Sequence, residues 1–214
     1  MSLLVYCVTE TSAVNPSPHN GVGGMAVESV EHSGLRCFVS ESKSPTSKEI
    51  QDDALTFHRV LKDIFQQAAI IPFRFPTTLA DRSDVIAHLR EHSEEYASTL
   101  GRLRDLVQME LRIQFKEISG PETSANPSGT EYLRNIQARR EKLEMVAQEL
   151  RQLGEPAIKD WRQRHSNDGI RCFALIDRTT VIDFQRKIGN IPVQSEFTAR
   201  LSGPWPATQF LSEE

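Results

Sequence analysis

The sequence predicts an α+β chain of two small sheet-plus-helix units of ferredoxin-like kind, with a long helical hairpin in the second. Three observations carry this reading. Short strand-like runs fall into two groups, one toward each end, each with helical stretches of its own. The run from Val107 to Ile118 alternates strictly: Val107, Met109, Leu111, Ile113 and Phe115 fall on one side, Gln108, Glu110, Arg112, Gln114 and Lys116 on the other. That is the period of a half-buried strand in an antiparallel sheet. Between such runs lie segments whose apolar residues recur at threes and fours, the spacing of amphipathic helices. The expected division is 1–80 and 107–214, joined by helices over 81–106.

Each element follows from local chemistry. Ser2–Val8 is an apolar run with the length of a buried strand. Thr11–Gly24, with Pro16, Pro18, Asn20 and three glycines, reads as irregular loop. Met25–Val30 and Leu35–Ser40 form a hairpin across Glu31-His32-Ser33-Gly34. Thr46 and Glu49 stand at capping-box spacing, and Ile50, Ala54, Phe57, Leu61, Ile64, Phe65 and Ala68 then make one helical stripe. The strand Ala69–Phe75 follows and ends at Pro76, giving a sheet expected to carry its helices on one face. Val85, Ile86, Leu89, Tyr96, Leu100 and Leu103 mark the helices of Asp81–Arg104, and Ser119–Ser128 is a Gly-, Pro- and Ser-rich loop.

The longest helix runs from Gly129 to Leu153 and is stopped by Gly154-Glu155-Pro156. Its apolar seam (Tyr132, Ile136, Leu143, Val146, Leu150, Leu153) is interrupted by Arg139. Such a seam serves either an intermolecular coiled coil or a neighbouring helix. A helix over Ala157–Arg164, offering Ile158 and Trp161, is the favoured partner. A strand Ile170–Ile176, a helix Thr180–Ile188 and a strand Glu196–Ser202 complete the order. Gly34-Leu35-Arg36-Cys37-Phe38 and Gly169-Ile170-Arg171-Cys172-Phe173 echo one another, over too few positions to establish a repeat.

Bulk composition narrows the function classes. A chain of 214 residues buries roughly 70% of its unfolded surface. No apolar run reaches transmembrane length, and a signal peptide with its basic start and cleavage site is not expected. The net charge of −4 argues against a nucleic-acid binder. Arg134, Arg139, Arg140 and Lys142 are interleaved with Glu131, Glu141 and Glu144, the pattern of a solvated helix face. Cys7, Cys37 and Cys172 each sit in an apolar run, an odd number without C-x-x-C spacing. They read as buried free thiols in a reducing cytoplasm, not as a disulfide framework or zinc site.

Catalytic signals are weak. His88-Leu89-Arg90-Glu91-His92 matches the H-x-x-E-H pattern of inverted zincins, but no spacing picks out a third ligand. Two exposed histidines on a polar face near a helix junction are the expectation, with no metal and no cofactor. His58 reads as a core-edge histidine, and Gly21-Val22-Gly23-Gly24 lacks the context of a phosphate loop. Asp177-Arg178 could hold an anion; capping the strand and pairing across a turn is the plainer role.

Two stiff segments stand out instead. Ile70-Ile71-Pro72-Phe73-Arg74-Phe75-Pro76-Thr77 and Leu201-Ser202-Gly203-Pro204-Trp205-Pro206 join bulky apolar side chains to prolines, which fix the backbone and remove donors. Neither carries a nucleophile, base or metal ligand, so both point to packing or contact. Alternation places Phe73 and Phe75 on one side and Arg74 on the other. Pro204 and Pro206 forbid a central strand, so Trp205 either folds back or stays outside as an anchor. Folding back is favoured, with Phe210 beside it, the tail then locking the second unit.

The chain resembles the gas vesicle GvpF/GvpL family. The resemblance rests on Pro72-Phe73-Arg74-Phe75 with Thr77, on Gly203-Pro204-Trp205-Pro206 with Phe210, and on the opening Leu4-Val5-Tyr6-Cys7-Val8. Gly34-Leu35 with Val39-Ser40-Glu41, Gly129 with Tyr132-Leu133, and Ala174-Leu175-Ile176-Asp177-Arg178 extend it over nearly the whole chain. It departs from the family at Pro76, usually glycine, at Ser202, usually threonine, and at Ala207-Thr208, which replace a tip richer in proline and aromatics. The resemblance implies a cytoplasmic, non-catalytic accessory protein that binds the gas vesicle shell subunit or other accessory proteins. A small-ligand sensor built on ferredoxin-like units is the alternative from fold analogy, and a metal-dependent hydrolase rests on the histidine pair alone.

Overall fold

The computed structural model describes residues 2–12, 20–42, 50–116, 129–166, 169–189 and 196–212, with side chains of the long helix described at 134 and from 137 onward. The capping-box pair Thr46/Glu49 and the loop Ser119–Ser128 lie outside these residues. The chain forms two compact units, Met1–Asp105 with Pro206–Glu214, and Leu106–Trp205. The helices expected as connectors thus count with the first unit, as does the end of the tail.

In the first unit, β1 (Leu3–Glu10), β2 (Glu28–His32), β3 (Leu35–Glu41), β4 (Ile71–Pro72) and β5 (Thr78–Leu79) form one antiparallel sheet. Its order is β2-β3-β1-β4, with β5 also pairing β1. The β2–β3 hairpin turns at Ser33 and Gly34, both at positive φ, a two-residue turn that glycine makes easy. The expected strand Ala69–Phe75 is reduced to Ile71–Pro72, since Pro76 and the turn before it cannot keep the ladder.

Helices cover both faces of this sheet, correcting the expectation of one. Val5, Val8, Val30, Leu35, Cys37 and Val39 pack with Val85 and Leu89 of α2 (Arg82–Glu91) and Leu100 of α3 (Ser93–Leu103). Tyr6 points the other way and stacks on Phe57 of α1 (Ile50–Phe65), ring centroids 4.9 Å apart. The physical reason is that β1 is buried along nearly its whole length, as its unbroken apolar run requires.

The second unit runs β6 (Leu106–Phe115), α4 (Gly129–Gly154), β7 (Ile158–Ser166), β8 (Gly169–Asp177), α5 (Val181–Gly189), β9 (Phe197–Trp205). Its sheet is antiparallel throughout, in the order β7-β8-β6-β9. The odd residues of β6 and the even residues of β8 share one face with the helices, where Leu143, Val146, Ala147 and Leu150 of α4 and Val181, Phe184 and Ile188 of α5 are buried. No helical hairpin exists there: Ile158–Ser166 is a strand. The register shifts between Ile158 and Asp160, so Ile158 opposes Ile176 and Trp161 opposes Ala174, both on the helix-bearing face. A bulge thereby gives a strand the i, i+3 apolar spacing of a helical turn. Of the seam of α4, Leu143, Val146 and Leu150 are buried and Leu153 is exposed, and the side chains of Tyr132 and Ile136 lie outside the described residues.

Burial holds the thiols neutral, pushing Cys37 and Cys172 up to about 12 and Cys7 well above its usual value. Among the described residues, no helix is long and apolar enough to cross a membrane.

Candidate functional site

β1 organises the first stiff segment. Val8 and Cys7 pair with Ile71 and Pro72, and the Phe73 N–H donates to the Tyr6 carbonyl at 2.9 Å. Pairing resumes where the Val5 N–H donates to the Thr77 carbonyl at 2.9 Å, and Leu4 and Leu3 oppose Thr78 and Leu79. Between these anchors the chain leaves the ladder, and Thr77 Oγ1 closes the excursion by donating to the Arg74 carbonyl at 2.6 Å. The threonine of the signature is thus a turn clamp.

The two phenylalanines do not share a side. Phe73 packs on the α2/α3 layer, its ring 5.6 Å from that of His88, while Phe75 meets Phe57 of α1 at 5.3 Å. Strict alternation fails because the backbone turns at Phe73–Pro76. Each ring therefore ties the segment to a different helical layer, and Arg74 is left exposed at the tip. Pro72 serves as the edge-strand proline, tolerated because among the described residues no further strand lies beyond it.

His88 and His92 are half-buried, not exposed as expected. His92 stands between α2 and α3, at the junction that the sequence placed there. His88 Nε2 and the Tyr96 hydroxyl hydrogen-bond at 2.9 Å, and the two imidazoles pack 4.4 Å apart, with His92 stacked on Tyr96. Burial first, then the neighbouring His92, lowers the pKa of His88. The rings are thus engaged with one another and with Phe73. Among the described residues no cluster of three His, Cys, Asp or Glu is placed to hold a metal ion.

Tyr6, a member of the opening signature, is fully buried. Its hydroxyl accepts from the Val22 N–H at 2.9 Å and lies 3.0 Å from Ser40 Oγ. Burial is the main cause raising its pKa. Gly21 is required beside it, because a Cβ there would overlap the Tyr6 hydroxyl. The signal that could have found this is a tyrosine inside an otherwise aliphatic buried strand, since a buried phenol needs partners.

The second stiff segment ends β9. The strand does not stop at Ser202: Ser202 opposes Glu110, and Trp205 opposes Gln108 across a register shift. Proline is tolerated at Pro204 because β9 is an edge strand. Gly203 sits at φ +118, and a Cβ there would lie 2.9 Å from the Gln108 carbonyl oxygen and 3.1 Å from Met109 Sδ. Glycine is therefore dictated by both conformation and space. Trp205 remains 36% exposed, its indole N–H reaching Ser202 Oγ at 3.3 Å. Ser202, the departure from the family's threonine, keeps the hydroxyl this contact uses.

Phe210 is fully buried, but it and Pro206 belong to the first unit, so the tail does not lock the second. Arg102 of α3 fixes it there, its Nη2 donating to the carbonyls of Phe210 at 2.7 Å and Leu211 at 3.2 Å. At the end of β8, Asp177 pairs with Lys159 at 3.1 Å and its carbonyl accepts from Thr180 Oγ1, closing the turn that contains Arg178. Tyr132 lies in α4, with its side chain outside the described residues.

Comparisons with known proteins converge. The structure resembles the crystal structure of gas vesicle protein GvpF from Anabaena sp. PCC7120 with a TM-score of 0.80 at 13% identity, over 100% of this chain and 97% of that one. It resembles GvpF from Microcystis aeruginosa with a TM-score of 0.81 at 12% identity, over 99% of each chain. At such identities the likeness establishes the fold. A comparison with curated proteins finds no match. The family model described as gas vesicle synthesis protein GvpL/GvpF matches residues 2–212. The order of signatures along the sequence, the sheets that hold them and this match agree, and the chain belongs to the gas vesicle GvpL/GvpF family.

Proposed function

We propose that this chain is a non-catalytic, cytoplasmic accessory protein of gas vesicle assembly that binds the shell subunit or another accessory protein of the vesicle, without a cofactor. The observation that carries the reading is the outer edge of β9, which no other described strand pairs, ending in a tryptophan that is 36% exposed. An extended apolar segment of a partner would add to such an edge through main-chain hydrogen bonds, and the indole is a common anchor at interfaces. Pro204 removes one donor from that edge, which limits promiscuous pairing. The other signature side chains, Phe73, Phe75 and Phe210, are spent on the fold of the first unit, and Arg74 presents a fixed charge at its tip.

The test is co-purification of the shell subunit, and separately of the other vesicle accessory proteins, with the tagged chain. Trp205→Ala should weaken capture by about tenfold or more while the melting temperature stays within ~2 °C. Full capture by that variant would remove β9 from the reading. Failure of the unmodified chain to capture any vesicle protein would remove the reading itself.

A further inference from the structure

The pairing register of the second sheet places Arg164 opposite Arg171, Arg171 opposite Arg112, and Arg112 opposite Arg200. Residues directly paired across strands project to the same face. One arginine from each of β7, β8, β6 and β9 therefore stands in a single row across the sheet. The row lies on the face away from α4 and α5, since the neighbouring even residues of β8 and odd residues of β6 face those helices. Arg112, Arg164 and Arg200 are exposed, although Arg112 sits on an interior strand.

Like charges directly opposite one another destabilise a sheet. The row is relieved at one place: Arg171 Nε and Nη2 each lie 2.8 Å from Glu110 Oε1. Among the described residues no carboxylate pairs with Arg112, Arg164 or Arg200. Arg162, one row along and opposite Phe173, is ion-paired with Asp160 at 3.9 Å. This concentration occurs in a chain whose net charge is −4. Within the second unit Arg171 also lies 5.4 Å over the Phe173 ring, whereas Arg112, Arg164 and Arg200 are exposed.

We propose that this face is a docking surface for an acidic segment of a partner protein, and specifically for a helix carrying glutamates or aspartates along one side. Strands lie about 4.8 Å apart, so the row spans roughly 14 Å. A helix laid along it presents side chains at i, i+3 or i+4 and i+7, with neighbours about 5–6 Å apart, so one carboxylate is available to each of the three arginines that Glu110 does not pair. Guanidinium forks bind carboxylates in the bidentate geometry that makes such pairs strong.

Nucleic acid fits less well. The chain's overall negative charge opposes a polyphosphate. The same net charge opposes an anionic membrane, and Phe173 and Leu175 beside the row are buried. The proposal does not depend on the shell subunit being the partner; it uses the face of the sheet, to which β9 contributes Arg200, and not the main-chain edge of β9.

The experiment measures fluorescence anisotropy of a labelled, helix-forming, glutamate-rich peptide with the full chain. Three proteins are compared: unmodified, R112Q/R200Q, and R59Q/K62Q, which removes the same charge from the exposed side of α1. Unmodified protein should bind in a salt-sensitive manner. R112Q/R200Q should lose about tenfold or more in affinity, and R59Q/K62Q should not. The melting temperature of R112Q/R200Q should equal or exceed that of the parent, because a repulsive pair is gone, which separates lost binding from lost folding. Absent peptide binding, or equal loss in both variants, would overturn the proposal. So would tighter binding of oligothymidylate or of phosphatidylserine vesicles through the same arginines, which would make nucleic acid or membrane the partner.

Discussion

A phenol taken wholly out of water must satisfy its oxygen inside the protein, and Tyr6 does so by joining two segments distant in sequence. The Val22 N–H donates to its hydroxyl, and Ser40 Oγ lies within hydrogen-bond distance. Tyr6→Phe keeps the stacking on Phe57 but strands the Val22 donor. The expected cost is about 1–3 kcal/mol, read from the midpoint of urea unfolding. His88 makes a second residue-scale statement, with a definite sign in pH. Its folded-state pKa lies below the 6.5 of a free imidazole, because burial and then the neighbouring His92 disfavour the charged form. The unfolded chain therefore takes up a proton first as pH falls. The stability that neutral His88 contributes is present above about 6.5 and is lost as pH drops through the folded value. His88→Gln should lower stability at pH 7 and narrow the difference in melting temperature between pH 7 and pH 5. An unchanged acid sensitivity in that variant would remove His88 from the account.

At the scale of the element, the edge strand β9 is terminated by sterics as much as by hydrogen bonding. Gly203 stands where the Gln108 carbonyl and Met109 Sδ leave no room for a Cβ, at a φ that other residues avoid. Gly203→Ala should cost about 2 kcal/mol or more, measured by urea unfolding, because it combines strain with a forced shift of β6. The glycine was legible as part of a signature, but its reason was not, since the neighbouring carbonyl comes from a strand almost a hundred residues earlier. The same distinction runs through the other elements. The alternation that starts at Val107 and the helix expected over Thr180–Ile188 are local patterns, and the strand begins one residue earlier at Leu106 while the helix runs Val181–Gly189. Strand β7 carries the pattern of a helix because the bulge at Lys159 puts Ile158 and Trp161 on one face at helical spacing. Strand β1 has a related irregularity between Val5 and Cys7, which lets Val5 and Val8 face the same layer. Bulges are fixed by partner strands, so the sequence window does not contain them. The arginine row is hidden for the same reason: each arginine is ordinary in its own strand, and only the register aligns them. The echo between Gly34–Phe38 and Gly169–Phe173 gains a place, since each opens the second strand of a hairpin that is interior to its sheet.

At the scale of the molecule, the second unit is an insertion in the sequence of the first, entered at Leu106 and left at Trp205. Its two ends lie on neighbouring strands, with Gln108 opposite Trp205, so its own sheet closes the loop of chain that it forms. Residues 206–214 then return to the first unit, where Ala207 and Phe210 are buried and Leu211 packs against the core of Val5, Val39 and Leu89. A segment adjacent in sequence to one unit thus stabilises the other. Phe210→Ala removes a fully buried ring, and such truncations cost about 3–5 kcal/mol. Arg102→Ala removes the donor that fixes two carbonyls of the tail and should act in the same direction with a smaller effect. Hydrogen exchange distinguishes where the loss falls. In Phe210→Ala the amides of Val5 and Val39 should lose protection, while those of Met109 and Ile176 in the second sheet keep theirs, because local stability follows the unit that holds the contact. Equal loss in both sheets would mean that the two units unfold as one, and that the tail is a fastening for the whole chain.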